Sequence, residues 1–417
     1  MTLYRSLRAE MMAGGAVDDD HPTPREESRR RRSVVAALVI LGLLVWLGIS
    51  NIWSLILVIG LLVSVFLHEI GHFVTAGWAG MKRTQFFMGF GPKLWSTHRN
   101  GVEYGVRALP LGAFVRIVGM NNLDPVDEAD RDVAYSAKPY RWRLLVITAG
   151  SIMHAIIAVV ILVFVYTVGG RVQETGRTEI FAVSEGSAAE AAGLRSGDVV
   201  VSVGDERIDS SDELRTVVAS FAPGTTVVID FERDGRISTT EATLQSRPSA
   251  DETSQGFLGV GTDSYGRDRL GVLEAASHVA GDLWEGMGNT LEGIVTVVNP
   301  VNQWEQVTNE DADPGKRPTT VVGITQVAGD IGERNGVFAV LEVLASVNIF
   351  IGIFNLLPLL PFDGGHAVIA TYERLRSRPG RRYQADVEKM WPVTVAVLTM
   401  LLFLTMTGLY LDITRPF

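Results

Sequence analysis

Residues 52–77 read IWSLILVIGLLVSVFLHEIGHFVTAG, an apolar run whose only ionisable residues are His68, Glu69 and His72. A transmembrane helix needs about 20 predominantly apolar residues, so this run is long enough to cross a bilayer. Ionisable groups at membrane depth are costly unless they are paired or coordinated. The stretch therefore predicts a membrane helix that carries a functional group of side chains.

The three ionisable residues form the pattern H-E-x-x-H. Residues four positions apart project from the same face of a helix, so the imidazoles of His68 and His72 can hold one zinc ion. Glu69 lies on an adjacent part of that face, where its carboxylate can take a proton from a zinc-bound water. The pattern favours zinc-dependent hydrolysis over the alternative, a structural buried His/Glu pair in a helix bundle.

Further apolar blocks lie at 34–50, 144–169, 337–361 and 392–411. We therefore predict a polytopic α-helical membrane protein with about five transmembrane helices. The block at 34–50 is short for a span, with about 17 residues. A signal-peptide core is the alternative there, but a polar leader precedes the block and no small-residue cleavage site separates it from the next one.

Charge is distributed unevenly along the chain. Residues 171–336 carry 13 Lys/Arg and 28 Asp/Glu, a formal charge of −15, and the rest of the chain sums to +5. Basic clusters flank the apolar blocks at Arg29–Arg32, Lys138–Arg143 and Arg374–Arg382, as the positive-inside rule expects of cytoplasmic ends. We predict a multi-pass protein of the cell membrane with a cytoplasmic N-terminus, an extracytoplasmic acidic region and no nucleic-acid partner. The chain has no cysteine, which excludes disulfides and a thiolate zinc site.

Two segments outside the apolar blocks suggest binding elements. Residues 81–120 alternate apolar and polar residues around Asn100-Gly101, which predicts a membrane-associated β-hairpin that can hold substrate. The run AAEAAGLRSGDVVVSV at 188–203 resembles the part of bacterial PDZ domains in which a short helix precedes a Gly-Asp turn and a strand. PDZ domains bind extended peptides at a sheet edge, so we expect a peptide or a trimmed substrate end there. A spacer is the alternative.

The predicted segments follow in chain order. They are a disordered cytoplasmic tail at 1–32, an additional N-terminal transmembrane helix at 33–50, the helix with H-E-x-x-H at 51–80, a cytoplasmic-side β-hairpin region and loop at 81–140, a transmembrane helix at 141–170, an extracytoplasmic α+β PDZ-like domain at 171–250, an extracytoplasmic region with an amphipathic helix at 251–336, a transmembrane segment at 337–370, a basic cytoplasmic loop at 371–390 and the C-terminal transmembrane helix at 391–412.

A catalytic zinc normally has three protein ligands and one open position, so a third ligand must come from elsewhere. Residues 355–365 read NLLPLLPFDGG, in which two prolines and two glycines break the helix. Broken backbone at membrane depth is tolerated where it lines a cavity or is buried in protein. Asp363 in this segment is therefore the predicted third ligand, and a simple helix-terminating Asp-Gly turn is the alternative.

The two motifs, the hairpin and the PDZ-like segment, in this order, resemble the site-2 protease family over roughly residues 52–411. The resemblance implies an intramembrane zinc endopeptidase that cleaves single-span proteins, such as anti-sigma factors, in regulated intramembrane proteolysis. It implies that His68, His72 and Asp363 bind Zn²⁺ and that Glu69 is the general base. Asn355 then helps to position substrate or polarise its carbonyl.

This chain departs from the family pattern at two positions. Phe362 stands where the family often has Leu, which should spare ligation. His154 lies where many relatives carry Asn in a Gly-Pro segment, either as an interhelical hydrogen-bonding group or as a residue near the active site. Two other functions compete with the site-2 protease reading. One is a gluzincin-type protease with Glu103 as third ligand, and the other is a catalytically silent PDZ membrane scaffold.

Overall fold

A computed structural model of the chain describes residues 26–120, 126–246, 255–309, 311–378 and 383–416. The chain divides into two compact units. Residues up to Val163 and from Leu273 onward form what we call the helical unit, and Phe164–Val272 form the sheet unit.

The helical unit contains most of the helices. They are α1 (Glu26–Ser50), α2 (Ile52–Trp78), α3 (Tyr140–Phe164), α6 (Val272–Val298), α7 (Pro300–Thr308), α8 (Val321–Asn355), α9 (Asp363–Arg376) and α10 (Trp391–Thr414), and the sheet unit holds α4 (Ala188–Ala191) and α5 (Ser211–Ser220). Within the described residues, four helices are long and apolar enough to cross a membrane: α2, α3 with a π-helical turn at Val165–Gly169, α8 and α10.

The fifth predicted span is not among these four. Its apolar part, Val35–Ser50, is the C-terminal part of α1 and is shorter than the four apolar helices. Because α1 begins at Glu26, residues 26–32 are helical rather than part of a disordered tail, and residues 1–25 of that predicted tail lie outside the described residues. Asn51 separates α1 from α2 by capping α2, since its side chain accepts a hydrogen bond from the Ser54 backbone N–H at 2.9 Å.

Helix α8 begins before the predicted segment 337–370 and ends within it. Gly336 interrupts the helix with φ 76° and ψ −168°, a conformation that residues with a Cβ avoid. The apolar block is therefore preceded by a further helical stretch, and Ala328 of that stretch packs with Val340 and Leu344 against Leu57 of α2. The chain then leaves the helix after Asn355 and starts α9 at Asp363, so residues 371–376 are helical and not part of a basic loop.

The hairpin predicted after α2 is present as β1 (Arg83–Arg99) and β2 (Val102–Ile117). Asn100 and Gly101 form its turn, both with positive φ, at 52° and 77°. The register places Gln85 opposite both Glu103 and Arg116, and Met88 opposite both Val106 and Ala113, so the hairpin folds back on itself. A buried cluster then joins its end to α2, α3 and α9 through Ala76, Ile117, Tyr135, Val146 and Ala370.

The sheet unit is built from antiparallel strands and the two short helices. Its strands are β3 (Arg171–Val183), β4 (Val199–Val203), β5 (Glu206–Arg207), β6 (Thr226–Arg233), β7 (Arg236–Thr243), β8 (Gln245–Ser246), β9 (Gly256–Phe257) and β10 (Val260–Asp268), with sheet order β10-β3-β4-β6-β7. Ile180, Val203, Ile229 and Leu244 lie in its core. Ser210 caps α5 by accepting a hydrogen bond from the Glu213 backbone N–H.

The boundary predicted after residue 250 cuts through this unit. Strand β10 pairs antiparallel with β3 along most of its length, so residues 260–268 belong to the same sheet rather than to a separate region. Its sequence, VGTDSYGRD, has two glycines and no clean apolar alternation, which is why its strand character is not visible locally. The amphipathic helix expected in 251–336 is α6, whose Trp284 and Leu291 are exposed.

Candidate metal centre

Helix α2 supplies two facing imidazoles. His68 and His72 lie one turn apart on its buried face, with only 8% and 5% of their surfaces exposed. Their Nε2 atoms are 3.1 Å apart. This spacing allows both ring nitrogens to direct lone pairs at one cation.

Asp363 reaches the same point from the first turn of α9. Its Oδ2 atom is 3.6 Å from the Nε2 of His68 and 3.3 Å from the Nε2 of His72. The two glycines that follow allow this approach, because a Cβ on Gly364 would collide with the Leu356 carbonyl and one on Gly365 would lie 2.6 Å from Leu359. The broken segment thus folds tightly onto the start of α9 and presents the carboxylate.

These donors fit a zinc ion. The three atoms form a triangle with edges of 3.1, 3.3 and 3.6 Å, and donors about 2.0–2.1 Å from a tetrahedral zinc are about 3.3 Å apart. Among the described residues, the buried Asp363 Oδ2 has no hydrogen-bond partner. A buried carboxylate oxygen without a donor is unstable unless a cation satisfies it. Among the described residues, His68, His72 and Asp363 thus form a group that could hold one metal ion.

The surroundings orient the two rings. The Nδ1 of His72 lies 2.7 Å from the Val146 carbonyl oxygen on α3, which fixes the tautomer in which Nε2 carries the lone pair. The ring of His68 lies where a Cβ on Gly150 would be, so this glycine leaves the space for the imidazole. Helices α2 and α3 approach closely here, since a Cβ on Gly71 would be 2.7 Å from the Ala149 carbonyl oxygen.

Glu69 lies beside the cluster without joining it. Its Oε1 atom is 4.0 Å from the Nε2 of His68, and its carboxylate accepts a hydrogen bond from the backbone of Val115 in β2. The carboxylate can therefore exchange a proton with a molecule bound at the cluster.

The remaining predicted residues have different positions. Asn355 is the last residue of α8 and is half-buried at the start of the loop that leads to Asp363. Glu103 is not in the cluster, because it is held in the hairpin by Lys93 Nζ at 2.6 Å and Gln85 Nε2 at 3.3 Å. Burial alone would raise the pKa of Glu103, but hydrogen bonds that include the one from Lys93 hold it below its ordinary value. This pairing removes the basis for Glu103 as third ligand.

His154 satisfies both readings of the sequence. It forms an interhelical hydrogen bond to Asn348, and its ring centroid is 5.1 Å from that of His68. One neighbour of the site was missed: His366, which interacts electrostatically with Asp363 and His72. His366 directly follows Asp363-Gly364-Gly365, and this position was the signal available in the sequence.

A family model described as Peptidase family M50 matches residues 56–402. The chain belongs to peptidase family M50. It is 33% identical over 393 residues to the zinc metalloprotease Rip1 of Mycobacterium tuberculosis, covering 86% of this chain and 96% of the relative. The Rip1 of Mycolicibacterium smegmatis is 32% identical over 399 residues, with the same coverages. The zinc metalloprotease RasP of Shouchella clausii is 29% identical over 393 residues, covering 76% and 89%.

Membership of family M50 confirms the resemblance to site-2 proteases. The protein is a zinc metalloprotease with Zn²⁺ as its cofactor, and its four apolar helices make it a multi-pass membrane protein. A silent scaffold is not supported, because the chain belongs to family M50 and is similar to zinc metalloproteases, and because His68, His72 and Asp363 lie close enough to hold one metal ion.

Two solved structures are similar to about a fifth of the chain. The PDZ domains of the SdrC-like proteins from Listeria monocytogenes and Listeria innocua are 19% and 20% identical, and they cover 20% and 22% of this chain and 85% and 99% of their own. Their TM-scores are 0.18 and 0.19. These scores are too low to establish a common fold, so the PDZ-like character of residues 171–250 stays a prediction.

Proposed function

We propose that this M50 peptidase is an endopeptidase that hydrolyses a peptide bond of single-span membrane proteins, with Glu69 as its general base. The carrying observation is the position of the Glu69 carboxylate, 4.0 Å from the Nε2 of His68 and next to the group formed with His72 and Asp363. All of these side chains belong to apolar helices or to the segment between them. Hydrolysis at this point takes place at membrane depth.

The chain's own residues perform the proton transfers. When bound, zinc supplies a Lewis acid that makes water acidic enough to be deprotonated near neutral pH. Glu69 takes the proton from the attacking water and later gives it to the amine that leaves. His68, His72 and Asp363 hold the metal, and Val146 keeps the His72 imidazole in the ligating tautomer.

Substrate enters as an extended strand in this proposal. A helical peptide ties its carbonyls into i to i−4 hydrogen bonds, so it must unwind locally before its backbone can be attacked. The hairpin can bind such a strand close to the base, because Val115 of β2 contacts the Glu69 carboxylate. A strand added beside Ala113–Ile117 would pass the base, and main-chain hydrogen bonds would give it affinity without sequence dependence.

Asn355 is proposed to contact the substrate carbonyl. It ends α8 eight positions before Asp363, at the start of the broken segment. An amide N–H donor beside the scissile carbonyl can stabilise the negative charge that develops on its oxygen. We assign this role to Asn355 because it is the polar side chain of NLLPLLPFDGG other than the ligand.

The substrate class is proposed from the charge map and the sheet unit. Residues 171–336 carry the net charge of −15, which favours an extracytoplasmic position, with the N-terminus in the cytoplasm. We propose that residues 171–250 bind a peptide or a trimmed substrate end there, and that single-span anti-sigma factors are among the substrates. The sheet unit would then exclude proteins whose ectodomain has not been shortened.

The decisive experiment compares Glu69→Gln with wild type in cells, by proteomics of membrane fragments. We expect single-span proteins to accumulate uncut in the variant, whose kcat on such a substrate falls about 10²- to 10⁴-fold as for loss of a general base. Purified Glu69→Gln should still contain zinc, because Glu69 is not a ligand.

Glu333→Gln is the matched control, since Glu333 lies in the same unit and pairs with Asn51 away from the cluster. It should process substrate as wild type does. Unchanged processing by Glu69→Gln would refute the proposal, and so would accumulation restricted to soluble proteins.

A further inference from the structure

One face of α3 forms a frame around the two ligating histidines. Val146, Gly150 and His154 are four residues apart and lie on the same side of the helix. Val146 accepts from His72, Gly150 makes room for the ring of His68, and His154 lies against that ring at 5.1 Å and 47°. Each of the three positions thus limits where an imidazole of α2 can lie.

His154 also connects this frame to α8. Its Nδ1 is 2.8 Å from the Oδ1 of Asn348, and the two residues are 1% and 0% exposed. The Nδ2 of Asn348 donates to the Leu344 carbonyl at 2.8 Å, which assigns Oδ1 as the acceptor and His154 Nδ1–H as the donor. His154 and Asn348 therefore form a buried hydrogen bond between two spanning helices, with His154 as the donor.

Helix α8 comes close to α3 at this point. A Cβ on Gly352 would lie 3.2 Å from the Cβ of His154 and 3.4 Å from the Ser151 carbonyl oxygen, so glycine permits the approach. Gly352 follows Asn348 by one turn, and Asn355 and the segment leading to Asp363 come next. The hydrogen bond thus joins the helix that frames the histidines to the helix that leads to the carboxylate.

We propose that His154 is a positioning residue of the metal centre, which acts through Asn348 to set Asp363 and His68 at ligating distance. The two motifs lie almost 300 positions apart in the chain, so their relative position depends on contacts between helices. Since His154 touches a ligand ring on one side and α8 on the other, its loss changes both the ring and the carboxylate position. This inference rests on the proposed function only for its activity readout.

Two substitutions separate the contacts of His154. His154→Phe keeps a ring against His68 but removes the donor to Asn348, and His154→Asn keeps a donor near the place of Nδ1 but removes the ring. If the hydrogen bond positions the centre, His154→Phe should lower zinc affinity and kcat about 10- to 100-fold, the range for partners that orient metal ligands. His154→Asn should restore most of both, with KM unchanged in each variant.

Cobalt-substituted protein gives a readout that a general loss of stability does not move. We expect the visible absorption of bound Co²⁺ to change in His154→Phe and to resemble wild type in His154→Asn. The matched control is Ser54→Ala, which removes another buried bond to α8, from Ser54 Oγ to the Thr325 carbonyl at 2.8 Å. This variant should lose thermal stability and keep the spectrum and the zinc affinity.

A wild-type Co²⁺ spectrum and zinc affinity in His154→Phe would overturn the inference, as would equal changes in Ser54→Ala. These outcomes are independent of the proposed function. Failure of the endopeptidase assignment would appear as unchanged cleavage by Glu69→Gln, whereas zinc affinity and the Co²⁺ spectrum report on the centre whatever bond is cut.

Discussion

Two carboxylates of the helical unit, those of Asp363 and Asp412, have opposite surroundings. Asp412, near the end of α10, is fully buried and accepts hydrogen bonds from Arg317 Nη2 at 3.0 Å, from Thr320 N and Oγ1 at 2.9 and 2.7 Å, and from Gly323 N at 3.0 Å. The Oδ2 atom of Asp363 has no hydrogen-bond donor among the described residues and faces the ring nitrogens of two histidines.

Asp412 has the surroundings of a structural carboxylate, whereas Asp363 has those of a carboxylate that can bind a metal ion. A buried charge must be paired, hydrogen-bonded or coordinated. The protein supplies every partner of Asp412, which ties the start of α8 to α10. For Asp363 the protein supplies the ring nitrogens of His68 and His72, which can share one metal ion with the carboxylate.

We expect the largest effect on zinc content and activity from the removal of the Asp363 carboxylate. Asp363→Ala takes away one of the three proposed ligands, so we expect purified protein to lose its zinc and its activity to fall by about 10³-fold or more, since metal assistance is worth several kcal/mol. The fold should persist, because no protein donor is left without its acceptor. Elemental mass spectrometry measures the zinc content, and thermal unfolding in detergent shows whether the fold persists.

If the purified Asp363→Ala protein retained its zinc, the distinction between Asp363 and Asp412 would be wrong. It would mean that the third ligand lies elsewhere and that Asp363 is a second structural carboxylate.

Asp412→Ala should have the reverse profile. It leaves the guanidinium of Arg317 without its buried partner, and breaking such a pair costs about 3–5 kcal/mol of folding free energy. We expect a clear fall in the unfolding temperature with zinc still bound at wild-type stoichiometry. Replacing both residues, as in Arg317→Met with Asp412→Leu, should recover part of the stability because no unpaired charge remains. Loss of zinc at full stability would contradict the structural role.

We expect the smallest effect in the sheet unit. There Asp198, like Asp412, accepts hydrogen bonds from an arginine and from the backbone. Burial would raise the pKa of Asp198, but hydrogen bonds from Arg233 to both oxygens, at 2.6 and 2.7 Å, and from the Arg195 N–H hold it below its ordinary value of 3.8. A depressed pKa means that the stabilisation is present above pH 3.8 and is lost as pH falls through the lower folded value.

Amide exchange of β6 and β7 in the full chain, corrected for the intrinsic rate, measures this loss. Wild type should lose protection between about pH 5 and about pH 3, while Asp198→Asn should lose less over the same interval. Equal losses in the two proteins would assign the acid sensitivity to other carboxylates.

Much of the fold follows from local pattern. Apolar length predicts four of the long helices, and Asn100-Gly101 predicts the hairpin turn, because helix periodicity and turn conformation depend on neighbouring residues. What the sequence misplaces depends on distant partners. Strand β10 is stabilised by pairing with β3, from Val260 opposite Val183 to Asp268 opposite Arg171. Helix α8 extends before residue 337, where Ala328 packs on Leu57.

The same division holds at the metal centre. The sequence by itself determined that His68 and His72 share a helix face, that Glu69 lies beside them and that the chain breaks around Asp363, since spacing, Pro and Gly act within one or two turns. Only the tertiary structure decided that Asp363 meets the imidazoles while Glu103 pairs with Lys93, and that His154 bonds to Asn348, 194 positions away. Those outcomes depend on how helices pack, and packing is a property of surfaces that are brought together from distant parts of the chain.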